Sequence, residues 1–339
     1  MLNAGIIGLG FLGKVHLENL YRLEFEGYPV QLTAICDTDK RRLSGLEIAG
    51  NFEFGGVQPN LERFAMYTNI DDMLDTERLD FVVIALPTYL HADISIKAMN
   101  KGIHVLCEKP MALDSVQCSQ MITAATKNGR KLMIGQCLRL WPEYEYLKQC
   151  VESNRYGNVL SGYFFRGSET PDRTYQNWVL RKQNGGGALL DMHVHDVDII
   201  NWLFGKPQSV STMGKNVIPG SGHDIVSTHY FYEDSKVICA QNDWTLHCGF
   251  RHSYRVNFER ATLLFEDNDL KIYPKSADMI IPELSKENAY YRELKYFADA
   301  IRNGEQLSVI SPESTRNTIL IVEAEMASAD LHGQMMPVS

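Results

Sequence analysis

The 339-residue chain has no basic excess: 33 lysines and arginines face 42 aspartates and glutamates, giving a formal charge of −9 at pH 7. With nothing broadly basic to neutralise phosphates, nucleic acid and anionic membrane surfaces are not expected partners. Long apolar runs are missing too. The stretch from Phe81 to Leu86 is far too short to cross a bilayer. Met1-Leu2-Asn3 leads directly into an apolar segment, without a charged leader or cleavage site, so no secretory signal is read. The seven cysteines (Cys36, Cys107, Cys118, Cys137, Cys150, Cys239, Cys248) are odd in number, scattered and without any C-x-x-C spacing. That pattern argues against a disulfide framework and a structural zinc site, and predicts reduced thiols in a cytoplasmic protein. Neither an internal repeat nor a low-complexity linker is visible.

What is there is ordinary globular composition, 45% hydrophobic and 22% charged, on a chain long enough for two domains. The first half alternates in period. Apolar runs at Ala4–Ile7, Val30–Cys36, Leu79–Leu86, Val105–Leu106 and 131–135 alternate with helical patterns. Those patterns follow Gly13, span Leu43 to about Ala49, begin near Asp71 and His91, and run over Ser115–Asn128. Strand and helix in alternation predict a doubly wound parallel sheet over residues 1–138. From residue 139 to 339 the pattern changes to several strand-like runs between 157 and 265. One strong helix over Ala188–Phe204 stands among them, and two closing helices follow. The expected fold class is therefore α/β: a Rossmann-type domain followed by an α+β domain with a large, mainly antiparallel open sheet.

The first apolar run ends in Gly8-Leu9-Gly10-Phe11-Leu12-Gly13, and a helical pattern opens immediately after it. A lone G-x-G-x-x-G carries little information, but this context is the one dinucleotide binding requires. Gly8 permits the tight turn, Gly10 lets backbone approach a pyrophosphate, and Gly13 allows helix and strand to pack closely. Phe11 and Leu12 complete the loop, whose helix N-terminus offers free N–H groups to phosphate. Asp37 ends the second run, about 20 residues past the last glycine, where a carboxylate can accept the ribose hydroxyls. It favours NAD over NADP, although Arg41 and Arg42 just downstream keep NADP open.

Glu108-Lys109-Pro110 follows Val105-Leu106 and so falls at the carboxyl edge of the predicted sheet, where ligands bind in open α/β sheets. On the strong helix, after Gly185-Gly186-Gly187, Asp191, His195 and Asp198 share one stripe. A polar stripe is usually a solvated face, but this helix is otherwise largely apolar, and a buried Asp–His pair is costly unless satisfied or used. His193 falls off the stripe. His91 contacts the nucleotide or caps its helix. Arg139 and Trp141 line the substrate side or pack at the domain junction, and Trp178 stacks on a sugar ring or anchors a lid.

Taken together, the glycine loop, the Glu108-Lys109-Pro110 turn and Gly185-Gly186-Gly187-Ala-Leu-Leu-Asp191-x-x-x-His195 resemble the Gfo/Idh/MocA oxidoreductases. Leu86-Pro87-Thr88-x-x-His91, Arg139-x-Trp141-Pro142 and Trp178 extend the resemblance over nearly the whole chain. The resemblance implies that Lys109, Asp191 and His195 are catalytic and that no metal is required. It also implies that Leu86, Pro87, His91 and Glu108 lie at the cofactor, and that the chain forms a homodimer or homotetramer. Many relatives carry a small residue where this chain has His193.

The expected reaction is NAD(P)-dependent hydride transfer from a secondary alcohol of a small polyhydroxylated substrate, a sugar or cyclitol. His195 would act as base, with Lys109 hydrogen-bonding the same oxygen and Asp191 orienting substrate. Two alternatives remain at this level: a non-catalytic dinucleotide-binding sensor, and a redox-neutral glycosidase that retains NAD.

Overall fold

The computed structural model describes residues 1–45, 60–171 and 174–339. In chain order the strands of the first sheet are β1 (Leu2–Ile7), β2 (Val30–Cys36), β3 (Ala65–Tyr67), β4 (Phe81–Ile84), β5 (His104–Glu108) and β6 (Leu132–Gly135). Those of the second are β7 (Val159–Gly167), β8 (Ser209–Lys215), β9 (Ile225–Phe231), β10 (Val237–Asp243), β11 (Arg251–Phe258), β12 (Ala261–Glu266), β13 (Asp269–Pro274) and β14 (Met336–Pro337). The longer helices are α1 (Phe11–Phe25), α2 (His91–Asn100), α3 (Ser115–Asn128), α4 (Pro142–Glu152), α5 (Val194–Phe204), α6 (Ala289–Asn303) and α7 (Pro312–Asp330).

The chain divides into two compact units. The first comprises Met1–Ala112, Val116–Cys137 and Glu287–Glu313; the second comprises Leu113–Ser115, Leu138–Lys286 and Ser314–Ser339. A single cut at 138/139 would place both closing helices in the second unit. Instead α6 belongs to the first, because its apolar face is buried against α1 and the sheet. Phe297 meets Phe81 edge to face at 5.6 Å, and the Arg22 guanidinium lies over the Tyr291 ring at 4.1 Å.

The first sheet has the order β3-β2-β1-β4-β5-β6, with every pairing parallel. This is the doubly wound arrangement that the sequence predicts, with its topological switch between β1 and β4. Phe81-Val82-Val83-Ile84 is buried throughout, as a strand covered on both faces must be. The expected helix from Leu43 to Ala49 is met by a short turn at Lys40–Leu43; residues 46–49 lie outside the described residues.

The second sheet runs β13-β12-β11-β7-β10-β9-β8-β14, antiparallel except where β10 pairs with β7. Its strands alternate. Val226, Thr228 and Tyr230 are buried, while the intervening Ser227, His229 and Phe231 are exposed. The covered face packs on the segment leading into α5 and on α7, where the Ser328 hydroxyl accepts the Thr212 N–H at 2.8 Å. The strong helix is not uniform: a π-helical turn at Leu189–His193 precedes α5. Among the described residues no helix is long and apolar enough to cross a membrane.

Candidate functional site

In the first unit the glycine loop has the shape a dinucleotide needs. Gly8 has φ +94, and a Cβ there would lie 2.4 Å from the Ala85 carbonyl oxygen. A Cβ on Gly13 would lie 1.9 Å from the Gly8 carbonyl oxygen, so only glycine lets α1 approach the loop. Gly10 is different: a Cβ there would meet nothing within 4 Å. That opening lies at the N-cap of α1, where no side chain caps the helix and its first turn carries no acidic residue. The N–H groups and positive end of α1 therefore face a space that a pyrophosphate can enter, and the residues present fit NAD. Phe11, Leu12, Leu86 and Pro87 are partly exposed around the loop and the end of β4.

Asp37 is more committed than its position suggests. Its Oδ2 accepts the Leu9 N–H at 2.8 Å and its Oδ1 accepts the Asp39 N–H at 2.8 Å. Arg42 donates to the same carboxylate at 3.1 Å. The carboxylate thus buttresses the glycine loop, and Arg42, which kept NADP open, is drawn onto Asp37.

At the ends of β4 and β5, His91 is buried. Its two ring nitrogens lie 2.7 Å from the Pro110 carbonyl oxygen and 2.8 Å from that of Leu86. Burial pushes its pKa below the ordinary imidazole value, against the pull of those two carbonyls. The ring ties two loops together. Lys109 is half-buried at the end of β5 and its N–H donates to Glu108 Oε2 at 3.1 Å. The other Glu108 oxygen lies 2.6 Å from His16 Nε2. Glu108 itself is 3% exposed. It is therefore an internal brace for the Lys109 turn.

In the second unit one observation stands out. From Gly187 to Asn201 every residue is buried except Asp191 and His195. Asp191 lies in the π-helical turn and His195 in the first turn of α5. A π-helical turn changes which residues share a face, and such turns recur at functional sites. Asp198, the third member of the expected stripe, turns inward. Arg139 donates to both its oxygens at 2.7 and 2.8 Å, and Thr318 donates at 2.8 Å. Arg139 is only 1% exposed and is held in this buried pair. Arg166 and Asp196 form a second buried pair at 2.9 Å.

His193 is fully buried between Tyr230, at 3.4 Å, and Glu325, at 3.5 Å. Trp178 packs against the cluster of Val179, Ala188, Met192 and Trp244 behind the π-helical turn. Trp141 is partly exposed and meets His252 edge on at 6.4 Å.

Sequence spacing does not display one grouping. Among the described residues, His16, Glu108 and Glu293 bring one ligand-capable atom each to within 4.8 Å of one another. The only linear hint is His16, three residues beyond Gly13.

A dinucleotide-binding Rossmann unit joined to a unit with a large open sheet, carrying an accessible Asp–His pair on a buried segment, defines a class of two-domain oxidoreductase folds. Comparison with known proteins agrees. Residues 2–136 match the model of the Gfo/Idh/MocA oxidoreductase family, NAD-binding Rossmann fold, and residues 144–264 match the Gfo/Idh/MocA C-terminal domain. The chain belongs to the Gfo/Idh/MocA family, and its first unit is an NAD-binding Rossmann domain.

Among its relatives is the 2,7-anhydro-N-acetylneuraminate hydratase of Escherichia coli, 26% identical over 66% of this chain and 56% of that protein. The inositol 2-dehydrogenase of Salmonella paratyphi B is 28% identical over 60% of this chain and 55% of its own length. The chain spans about half the length of these curated relatives. A levoglucosan dehydrogenase solved with NADH and levoglucosan superposes with a TM-score of 0.85, covering 99% of both chains at 20% identity. That likeness is one of fold.

Proposed function

We propose that this chain is an NAD-dependent dehydrogenase acting on a secondary alcohol of a sugar or cyclitol. The observation that carries the reading is the partial exposure of Asp191 and His195 alone within the otherwise buried run from Gly187 to Asn201. Buried segments do not present a carboxylate and an imidazole to solvent without compensation elsewhere or a ligand to meet. The inositol and levoglucosan dehydrogenases among the relatives and fold neighbours support a polyhydroxylated substrate.

When bound, the nicotinamide cofactor would supply the hydride acceptor. The residues of this chain then handle the proton. His195 takes it from the substrate hydroxyl, a task suited to imidazole near neutral pH. Lys109, held by the Glu108 brace, stabilises the alkoxide charge that develops on oxygen. Asp191 orients the substrate through its hydroxyls. Gly8, Gly10 and Gly13 seat the pyrophosphate on α1, and Asp37 holds the loop and accepts from the ribose. The active protein is a homodimer or homotetramer.

The test is cofactor reduction, followed at the nicotinamide band, with NAD or NADP across inositols, aldoses, anhydrosugars and sugar acids. Reduction of NAD by one class is expected. Lys109→Ala and His195→Ala should each lower kcat by about 10²-fold or more, the usual weight of a positioned proton-transfer group. Near-normal turnover in both variants would remove these residues from the chemistry. The hydratase relative favours one further readout. Substrate conversion without net cofactor reduction would identify a redox-neutral reaction.

A further inference from the structure

Behind the Lys109 turn lies an internal cluster that the proposed chemistry does not use. Glu293, on α6, is fully buried, and neither of its carboxylate oxygens has a hydrogen-bond partner. It is aimed at the pair formed by His16 of α1 and Glu108 of β5, whose facing atoms are 2.6 Å apart. His16 Nδ1 is likewise buried without a partner. The site is built around the Glu108 carboxylate: a Cβ on Gly135, its neighbour on β6, would come within 3.1 Å of Glu108 Oε2. The other titratable groups near Glu293 are the Cys137 thiol after β6 and the Tyr290 hydroxyl on α6. The Tyr290 ring packs edge on against His16 at 5.9 Å.

Two buried carboxylates this close cannot both ionise cheaply, because each loses its hydration and repels the other. A cation or a proton would relieve them. The geometry discriminates: atoms bound to one tetrahedral ion with bonds near 2.0 Å stand about 3.3 Å apart. The His16–Glu108 contact is shorter than that and is a hydrogen bond.

We propose that Glu293 is a bound-proton site, a neutral carboxylic acid sealed in the first unit, and a positioning residue for Lys109. The side chain acts through Glu108, whose one oxygen holds the Lys109 N–H at 3.1 Å while the other engages His16. An ionised Glu293 would repel Glu108 and loosen the brace that ties the Lys109 turn to the helix of the glycine loop. Burial first, and Glu108 second, push the Glu293 carboxyl well above its ordinary range. The positioning role rests on the dehydrogenase reading; the bound proton does not.

The experiment compares the native full-length chain with Glu293→Gln and Glu293→Ala. Urea unfolding is measured from pH 5.5 upward. The native fold keeps a proton that the unfolded chain releases, whereas glutamine has none to lose. The unfolding constant of the native chain, relative to Glu293→Gln, should therefore rise by about tenfold per pH unit until the buried acid ionises. A ratio that stays flat overturns the bound proton. So does one divalent metal per purified native chain that is missing from Glu293→Gln.

The positioning role is read with whichever polyol the native chain oxidises. Glu293→Ala should lose about tenfold in kcat with KM within about twofold, and Glu293→Gln should restore kcat. Undiminished kcat in Glu293→Ala overturns positioning. If the native chain oxidises no polyol, the dehydrogenase reading and the positioning role built on it fail, while the unfolding ratio still decides the proton.

Discussion

A methyl group at position 10 would project into open space, whereas at position 13 it would lie 1.9 Å from the Gly8 carbonyl. Gly10 also has φ −66, which alanine adopts without strain. Gly10→Ala should therefore melt within about 2 °C of the native chain, a shift below 1 kcal/mol. Yet it should bind NADH at least about tenfold more weakly, because the methyl occupies the space a pyrophosphate enters. Gly13→Ala should instead lose about 3 kcal/mol or more of stability, since the clash is with backbone that cannot swing aside. Calorimetry and a fluorescence titration of NADH separate the two. Equal loss of stability in both variants would show that the loop, and not the ligand, needs Gly10. Both glycines are plain in the sequence, as is Asp37. Glu108's bond to His16 is not, because the partners are 92 positions apart and each has an ordinary surface reading.

At the scale of elements, legibility follows length and periodicity. Phe81-Val82-Val83-Ile84 reads as a strand because a short, β-branched apolar run suits a position buried on both faces. Ala65-Met66-Tyr67 does not, since three residues carry no period, and β3 goes unread. The π-helical turn at Leu189–His193 is invisible for a different reason: hydrophobic spacing of 3.6 tolerates one inserted residue. In the segment that carries it, Asp191 and His195 stay partly exposed while Asp198 turns inward to Arg139. The helix α6 is legible from its amphipathic pattern, and its start is fixed by Asn288, whose side chain accepts the Tyr290 N–H at 2.8 Å. Asn288→Ala should cost about 1 kcal/mol in urea unfolding, the usual worth of an N-cap. No measurable loss would show that packing on α1 alone sets the start of the helix.

Considered whole, the molecule carries two partly buried histidines that make it sensitive to acid. Burial lowers His104 in the first unit and His252 in the second to about 4. The unfolded chain binds protons at these positions from about pH 6.5 downward, while the fold resists until about pH 4. Each group therefore stabilises the fold above pH 6.5 and takes that stability away as the solution is acidified. Urea midpoints should fall between pH 6.5 and 4, and the double variant His104→Gln, His252→Gln should flatten the slope. An unchanged slope would place the acid sensitivity elsewhere. The exposed face of the second sheet, with Met213 at 59% and Val237 at 59%, is where we expect copies of the chain to associate. Light scattering on a sizing column should give a mass of two or four chains, and a monomer would remove that expectation.

The return of Glu287–Glu313 to the first unit also governs how the chain is made. A ribosome that has released residues 1–137 has delivered the whole parallel sheet, but not the helix that covers α1 and Phe81. Until Asn303 clears the exit tunnel, this nascent Rossmann unit exposes an apolar flank and lacks Glu293. A truncated gene ending after Cys137 should accordingly yield an aggregating product instead of a cofactor-binding domain, and supplying Glu287–Glu313 as a separate peptide is the rescue the topology dictates.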